Sequence, residues 1–411
     1  MRLLFSLCLA VFLMHSTSAG AASRDAVEQQ FQKWLATTVA ADATRRGVSR
    51  ATLTRAFDGL KLDWSLPDLA PPGEPEKHEA PQRQAEFSGP ARYFNEPKVA
   101  QLAKAGQARM QQWSKTLAAI EKTYGVPASI VVAIWGRESG YGAAKLPYSA
   151  LSALATEAFM GARKQSFYGE LLAALEILQG DHISQSEMKS SWAGALGQPQ
   201  FLPSKYLTTA VDFDRDGKRD IWNSVPDVLG SIANYLRENG WQPGVGWGVE
   251  VVLPPNVSCS LEGPEKGRPL AEWQAMGVRT VSGGPVTGRN PKQIGHLMMP
   301  AGRLGPAFIV SKNFYILKTY NESDLYALFI GHLADRMRGA GPMAQSWADI
   351  GTFKRSDVGR MQERLEARGV DVGTADGLVG FKTRIAIGEW QTANGRAATC
   401  FPDAALLKAI R

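Results

Sequence analysis

From Ile130 to Trp135 the chain carries six consecutive apolar residues, followed by Gly136, Arg137 and then Glu138. A helix that is apolar on one stripe lies at a surface; one apolar on nearly every face has none to give to water. The run therefore predicts a buried central helix with other helices wrapped around it, and hence a mainly α core. Just beyond it, Gly140 and Gly142 end the helix and let the backbone turn sharply. One carboxyl group is thereby left at the buried end of a helix. Loss of water favours its protonated form and raises its pKa. That is how a general acid for glycosidic bond cleavage is made. A helix-terminal glutamate bound to an arginine or a backbone amide would fit the same position.

The first residues have the pattern of an export signal. Arg2 precedes an apolar run from Leu3 to Met14, and the small residues Ala19, Gly20, Ala21 and Ala22 follow. The run is too short to span a bilayer, so residues 1–21 are expected to be a cleaved signal peptide and no transmembrane segment is expected. Cys8 lies inside the apolar run after Leu7, where a lipid-attachment signal wants a small residue, so a lipid anchor is not expected. Two cysteines then remain, Cys259 and Cys400; in an exported chain they either pair or stand as two buried thiols. No C-x-x-C or H-E-x-x-H spacing occurs, and a catalytic zinc is not expected. The formal charge of +7 includes no long basic tract, which suits an acidic polymer such as a cell wall and does not call for nucleic acid.

The 411 residues, 44% of them hydrophobic, are enough for a large core and a small second domain. Helical periodicity runs through Val27, Phe31, Trp34 and Leu35 and returns over 99–124, 127–137, 150–159, 167–179, 227–239 and 324–338. Residues 64–90 are rich in Pro, Glu and Gln and predict an extended surface connection. Between 243 and 315 the chain is rich in Gly and Pro, with β-prone runs at Val249–Leu253 and Ala307–Val310, which predicts a small strand-containing insert. Gly339, Ala340, Gly341 and Pro342 open a linker over 341–355, and residues 356–411 predict a small domain of short helices. The expected fold class is mainly α (α+β).

Two further stretches carry the functional signal. Ser191-Trp192-Ala193-Gly194-Ala195-Leu196-Gly197-Gln198-Pro199-Gln200-Phe201 combines small residues, which permit close backbone approach, with polar and aromatic groups able to face a carbohydrate. The other is Tyr320-Asn321-Glu322-Ser323-Asp324-Leu325-Tyr326. With Glu138 and the run from Ala210 to Leu236, these motifs, in this order over residues 25–340, resemble the lytic murein transglycosylase B family. Residues 356–408 separately resemble a three-helix peptidoglycan-binding domain, through Gln362-x-x-Leu365, Asp376-Gly377, Gly380-x-x-Thr383 and Trp390-Gln391.

The resemblance implies a lysozyme-like helical catalytic region over 22–340. It implies cleavage of the β-1,4 bond between N-acetylmuramic acid and N-acetylglucosamine, with formation of a 1,6-anhydro ring. Glu138 falls on the acid/base position, and Ser191 and Asn321 on residues around the N-acetyl group. Gln200 and Tyr326 fall on groups near the acid, Tyr93 on a cleft tyrosine, and Tyr320 and Phe201 on apolar faces for sugar rings. No partner carboxylate of motif quality accompanies Glu138; Glu157, Glu170 and Glu176 sit at spacings expected of solvated helix faces. The implied chemistry requires no cofactor, and the partner is the glycan strand. Periplasmic location follows, with residues 356–411 expected to act as a tether that takes no part in the chemistry. A hydrolytic muramidase and a non-catalytic wall-binding scaffold are the alternatives.

Asp212, Asp214, Asp216, Lys218 and Asp220 lie in an alternating stretch with Gly217 at the sixth place, as at the front of an EF-hand calcium loop. The twelfth place is Asn223, where the loop wants glutamate. The resemblance suggests Asp227 as the residue that completes a structural calcium shell; a plain Asx-rich turn is the other reading.

Overall fold

The computed structural model describes residues 23–67, 69–73, 89–287, 290–351 and 353–410. The expected signal peptide, Cys8 and most of the Pro-, Glu- and Gln-rich stretch lie outside the described residues. Among the described residues no single helix is long and apolar enough to cross a membrane.

The helix Ala128–Ser139 is central, as its sequence requires. Ser129 to Gly136 and Ser139 are all buried. The helices Asp324–Met337, Glu96–Gln112, Val225–Glu238 and Ser114–Tyr124 pack around it. Ser224 caps the third of these by accepting from the Asp227 amide, and Ser323 caps the first by accepting from the Tyr326 amide. A second layer is built from Ala150–Met160 against Lys164–Gln179. Their apolar side chains join the same core as the first helix, Arg24–Trp34.

The insert forms a five-stranded antiparallel sheet in the order Arg268–Pro269, Ile294–Met298, Ala307–Val310, Gly248–Val252, Arg279–Thr280. The two β-prone runs pair with one another, Val249 opposite Ile309. One sheet face covers a second core containing Val251, Trp273, Leu297 and Ile309.

The C-terminal helices Arg355–Glu366, Phe381–Ala393 and Ala404–Ala409 close over Val358, Met361, Leu365, Ala386, Ile387 and Leu406. This unit is not hung on a free tether. Within the expected linker, Trp347 stacks on Phe94 at 5.4 Å, and the Ala344 and Gln345 amides donate to Glu250. Cys400 is bonded to Cys259, which brings it into the core of the sheet insert. A Cβ at Gly388 would lie 2.3 Å from the Cys259 sulfur, so glycine lets the disulfide rest against the last long helix.

Candidate active site

Gly140, in the left-handed region at φ 57°, ends the central helix, and Tyr141 follows at φ 63°. The Tyr141 ring then folds back so closely that a Cβ at Gly136 would lie 2.5 Å from it. Its hydroxyl donates to the Leu102 carbonyl at 2.7 Å, which locks the turn. Glu138 is thereby fixed at the helix end, half-buried.

The hydroxyl of Tyr326 donates to Glu138 Oε1 at 2.6 Å. Burial pushes the Glu138 carboxyl up from its ordinary 4.5 to about 7, against the opposing pull of the Tyr326 hydrogen bond and the Arg137 charge. Arg137 is itself held over the Tyr93 ring at 4.7 Å and donates to the Tyr93 hydroxyl at 2.9 Å. Burial, one tyrosine hydroxyl and one arginine thus set the state of Glu138. Of the three glutamates read as solvated, Glu170 accepts from Ser204 and Glu176 pairs with Arg46 at partly exposed positions. Glu157 corrects the expectation: it is 1% exposed, its carboxylate folded onto the Gly161 backbone.

Two loops complete the cleft. The segment beginning at Ser191 turns tightly, with the Ser191 hydroxyl accepting from the Ala195 amide. Gly197, at φ 59°, packs so close to the Ile221 carbonyl that a Cβ would lie 2.6 Å from that oxygen. Gln198 ties this loop to the central helix: it accepts from the Trp135 indole at 2.7 Å and donates to the Trp222 carbonyl at 2.7 Å. Gln200, at φ 56°, donates to the Gly197 carbonyl and so braces the turn. From the other side, Tyr320 donates to the Pro199 carbonyl at 2.8 Å and stacks on Tyr326 with their planes 11° apart. Phe201 is only 3% exposed and lies against the Tyr320 and Tyr235 rings. Asn321 stands exposed at the loop tip.

The structure thus brings Glu138, Tyr326, Tyr320 and Tyr93 into one contact network, and the Ser191–Phe201 loop joins it through Gln198 and Pro199. Sequence reasoning missed Gln198, Arg137 and Tyr235. Gln198 lay inside a motif already singled out, but nothing in its spacing marks a side chain that bridges two tryptophans.

The acidic loop adjoins this network at one end, where the Trp222 amide donates to Asp220 and the Trp222 carbonyl accepts from Gln198. Asp212, Asp214 and Asp227 each present a carboxylate oxygen within 4.8 Å of the others. Asp227 is fully buried and accepts from the Phe213 and Asp220 amides. Burial raises its pKa to about 6, the backbone donors pulling it down and Asp214 adding to the rise. Asp216, Lys218 and Asp220 are not members of that carboxylate group. Asp216 accepts from the Lys218 amide, and Asp220 from the Trp222 and Asn223 amides, which is turn chemistry.

A carboxyl lifted to about 7 at the end of a buried helix, held by the Tyr326 hydroxyl with the Tyr320 ring stacked beside it, makes a general-acid site suited to an acetal oxygen. Residues 30–335 match the family described as "Transglycosylase SLT domain", and the chain belongs to that family. Residues 354–410 match the family described as "Putative peptidoglycan binding domain". Among solved structures the chain is similar to SltB3 from Pseudomonas aeruginosa in complex with NAG-NAM-pentapeptide. That relative is 40% identical, with a TM-score of 0.83 over 93% of this chain and 99% of the other. The same relative in complex with NAG-anhNAM-pentapeptide is 38% identical, with a TM-score of 0.80 over the same shares. Membrane-bound lytic murein transglycosylase B of Escherichia coli is 30% identical over 227 residues, 54% of this chain, and the match spans 60% of that relative's length. The Escherichia coli lytic transglycosylase Slt35, in complex with calcium, is 25% identical, with a TM-score of 0.54 over 80% of this chain and 98% of that one.

Proposed function

We propose that this chain is a lytic transglycosylase that cleaves the β-1,4 bond between N-acetylmuramic acid and N-acetylglucosamine in peptidoglycan. The observation that carries the reading is the Glu138 carboxyl, lifted to about 7 by burial at the end of the central helix and held by the Tyr326 hydroxyl. Hydrolysis by paired carboxylates needs a second one within about 5–10 Å. One acid/base suffices where the substrate brings its own nucleophile. Glu138 donates its proton to the leaving oxygen as the glycosidic bond breaks, and the sugar's N-acetyl group stabilises the oxocarbenium-like centre. The resulting carboxylate then takes the proton of the C6 hydroxyl, whose oxygen closes on C1. Glu138 is protonated again, and no water is consumed. Ser191 and Asn321 orient the N-acetyl group, Tyr320 offers a ring face, Tyr326 holds the acid in place, and Gln200 and Tyr93 brace the walls.

The complex of SltB3 with NAG-anhNAM-pentapeptide supports this product class. In the same reading the enzyme acts in the periplasm, with residues 1–21 removed on export and residues 356–411 holding glycan strands. Calcium at Asp212, Asp214 and Asp227 is structural, a role supported by the carboxylate group and by the calcium complex of Slt35. Mass spectrometry of digested sacculi tests the assignment. Anhydro-muramic ends are expected; reducing ends, one water heavier, would mark a hydrolytic muramidase, and no release a binding scaffold.

A further inference from the structure

Arg384, on the helix Phe381–Ala393 of the C-terminal unit, is 2% exposed. Its guanidinium meets both oxygens of Glu262, in the sheet insert, through Nε at 3.1 and 3.0 Å and through Nη2 at 2.6 Å. Glu262 is 1% exposed and also accepts from the Met299 amide at 2.9 Å. That bidentate pair would by itself dock the C-terminal unit on the insert. The same Nη2, however, reaches a third segment: it donates to Asp324 Oδ2 at 3.4 Å.

Asp324 ties this cluster to the cleft. Lys318 pairs with its other oxygen at 2.8 Å, so Lys318 and Asp324 bracket the loop that carries Tyr320 and Asn321. Asp324 is also the first residue of the helix Asp324–Met337, where Tyr326 donates to Glu138. Two positive and two negative side chains from four chain segments meet here. Burial works to raise Asp324, yet Arg384 and Lys318 hold its carboxyl below the ordinary value. Beside the cluster is a cavity of about 380 Å³ lined by Asn321, Leu325, Phe353, Leu378 and Phe401. The loop therefore faces the C-terminal unit partly across open space, and the Arg384–Asp324 contact is a polar bridge over it.

We propose that Arg384 is a positioning residue for glycan cleavage: by pinning Asp324 it fixes the Tyr320–Asn321 loop and sets Tyr326 against Glu138. The C-terminal unit then contributes to the chemistry, contrary to the tether expected from the sequence. The inference rests on the transglycosylase reading of Glu138.

The test uses the full-length oxidised protein, in which the Cys259–Cys400 bond keeps the two units joined. Glu262→Gln with Arg384→Met removes the docking charges together, so no buried carboxylate is left unpaired at Glu262. Asp324→Asn removes the bridge together with the Lys318 ion pair but leaves the Glu262 pair intact, and Arg384→Lys keeps the charge. Rate against pH is measured on soluble peptidoglycan fragments, with melting temperature alongside. Displacing the loop by a fraction of an ångström to an ångström is expected to lower kcat roughly ten- to hundredfold. KM should change less, and Arg384→Lys, which keeps the charge but not the fork that reaches Glu262 and Asp324 together, should recover only part of the loss.

The group read out is Glu138, which is faced by Tyr326, Tyr320 and Arg137. Weakened donation from Tyr326 should move the basic limb of the profile to higher pH. Folded variants with the wild-type rate and limb would overturn the proposal. A rate loss that follows melting temperature with the limb unmoved would also overturn it, leaving Arg384 a structural ion pair. Reducing ends released by the wild type would instead overturn the transglycosylase reading, and the Arg384 comparison would remain readable.

Discussion

Replacing Glu138 by Gln should abolish turnover and, at the same time, stabilise the protein at alkaline pH. The carboxyl has an ordinary value of 4.5 and rises to about 7 in the fold. Below 4.5 it is protonated folded and unfolded, and its full contribution to stability is present. As pH climbs through about 7 the folded state must take on a charge that its surroundings disfavour, and that contribution is lost. The gap between 4.5 and about 7 corresponds to an upper figure of roughly 3 kcal/mol. Gln keeps the shape and does not titrate. Unfolding free energies of the two proteins from denaturant titrations at pH 4.5 and pH 8.5 should therefore nearly coincide at the first and diverge by up to that amount at the second, with the Glu138→Gln variant the more stable. Turnover of soluble glycan should fall by about 10²–10⁴-fold, the range general acid catalysis supplies. An equal stability difference at both pH values would refute the titration argument. Activity within about tenfold of wild type would remove Glu138 from the mechanism.

Tyr326→Phe deletes a 2.6 Å donor that favours the ionised acid. Such a bond is worth about 1.5–3 kcal/mol, so the basic limb of kcat/KM should rise by roughly one to two pH units; an unmoved limb would mean that the hydroxyl does not bear on the acid. Calcium at about a hundredfold above its dissociation constant should add roughly 2.7 kcal/mol to the chelator-treated protein. Because Asp227 holds its proton up to about 6, the calcium gain should be larger at pH 7.5 than at pH 5 and vanish in Asp214→Ala. Cys259→Ser with Cys400→Ser should cost about 2–5 kcal/mol in denaturant unfolding, and no loss would mean that the contacts around the bond suffice without it.

The central helix was legible because its apolar run leaves no polar face, and a helix with no wet side has only one place to go. The insert was legible for a related reason: β-prone runs between Gly- and Pro-rich segments have little choice but to pair. Helix phase in the C-terminal unit was harder. The buried face of the helix Phe381–Ala393 runs through Thr383, Arg384, Ala386, Ile387 and Gln391, with Trp390 packed partly buried against the same core. The helix is turned toward the sheet insert, and a charge inside a short apolar pattern gives no sign that its partners lie 122 and 60 residues away. Glu157 misled in the same way, since local spacing reports which residues share a helix face but not what that face meets. Phe201 was visible as an aromatic in a cleft motif; whether it faces the cleft or backs another ring depends on Tyr320 and Tyr235, far along the chain.

The bond between Cys259 and Cys400 spans 141 residues, and everything between them is made before it can close. That interval holds the last strands of the sheet, the Tyr320–Asn321 loop, the helix bearing Tyr326, and Arg384. Closure of the bond is thus a certificate of completion. A chain that stops before Cys400 leaves the Cys259 thiol without this partner, and thiol labelling of the denatured protein reads that out. Molecules lacking Cys400 are thus chemically distinguishable from those that carry the bond.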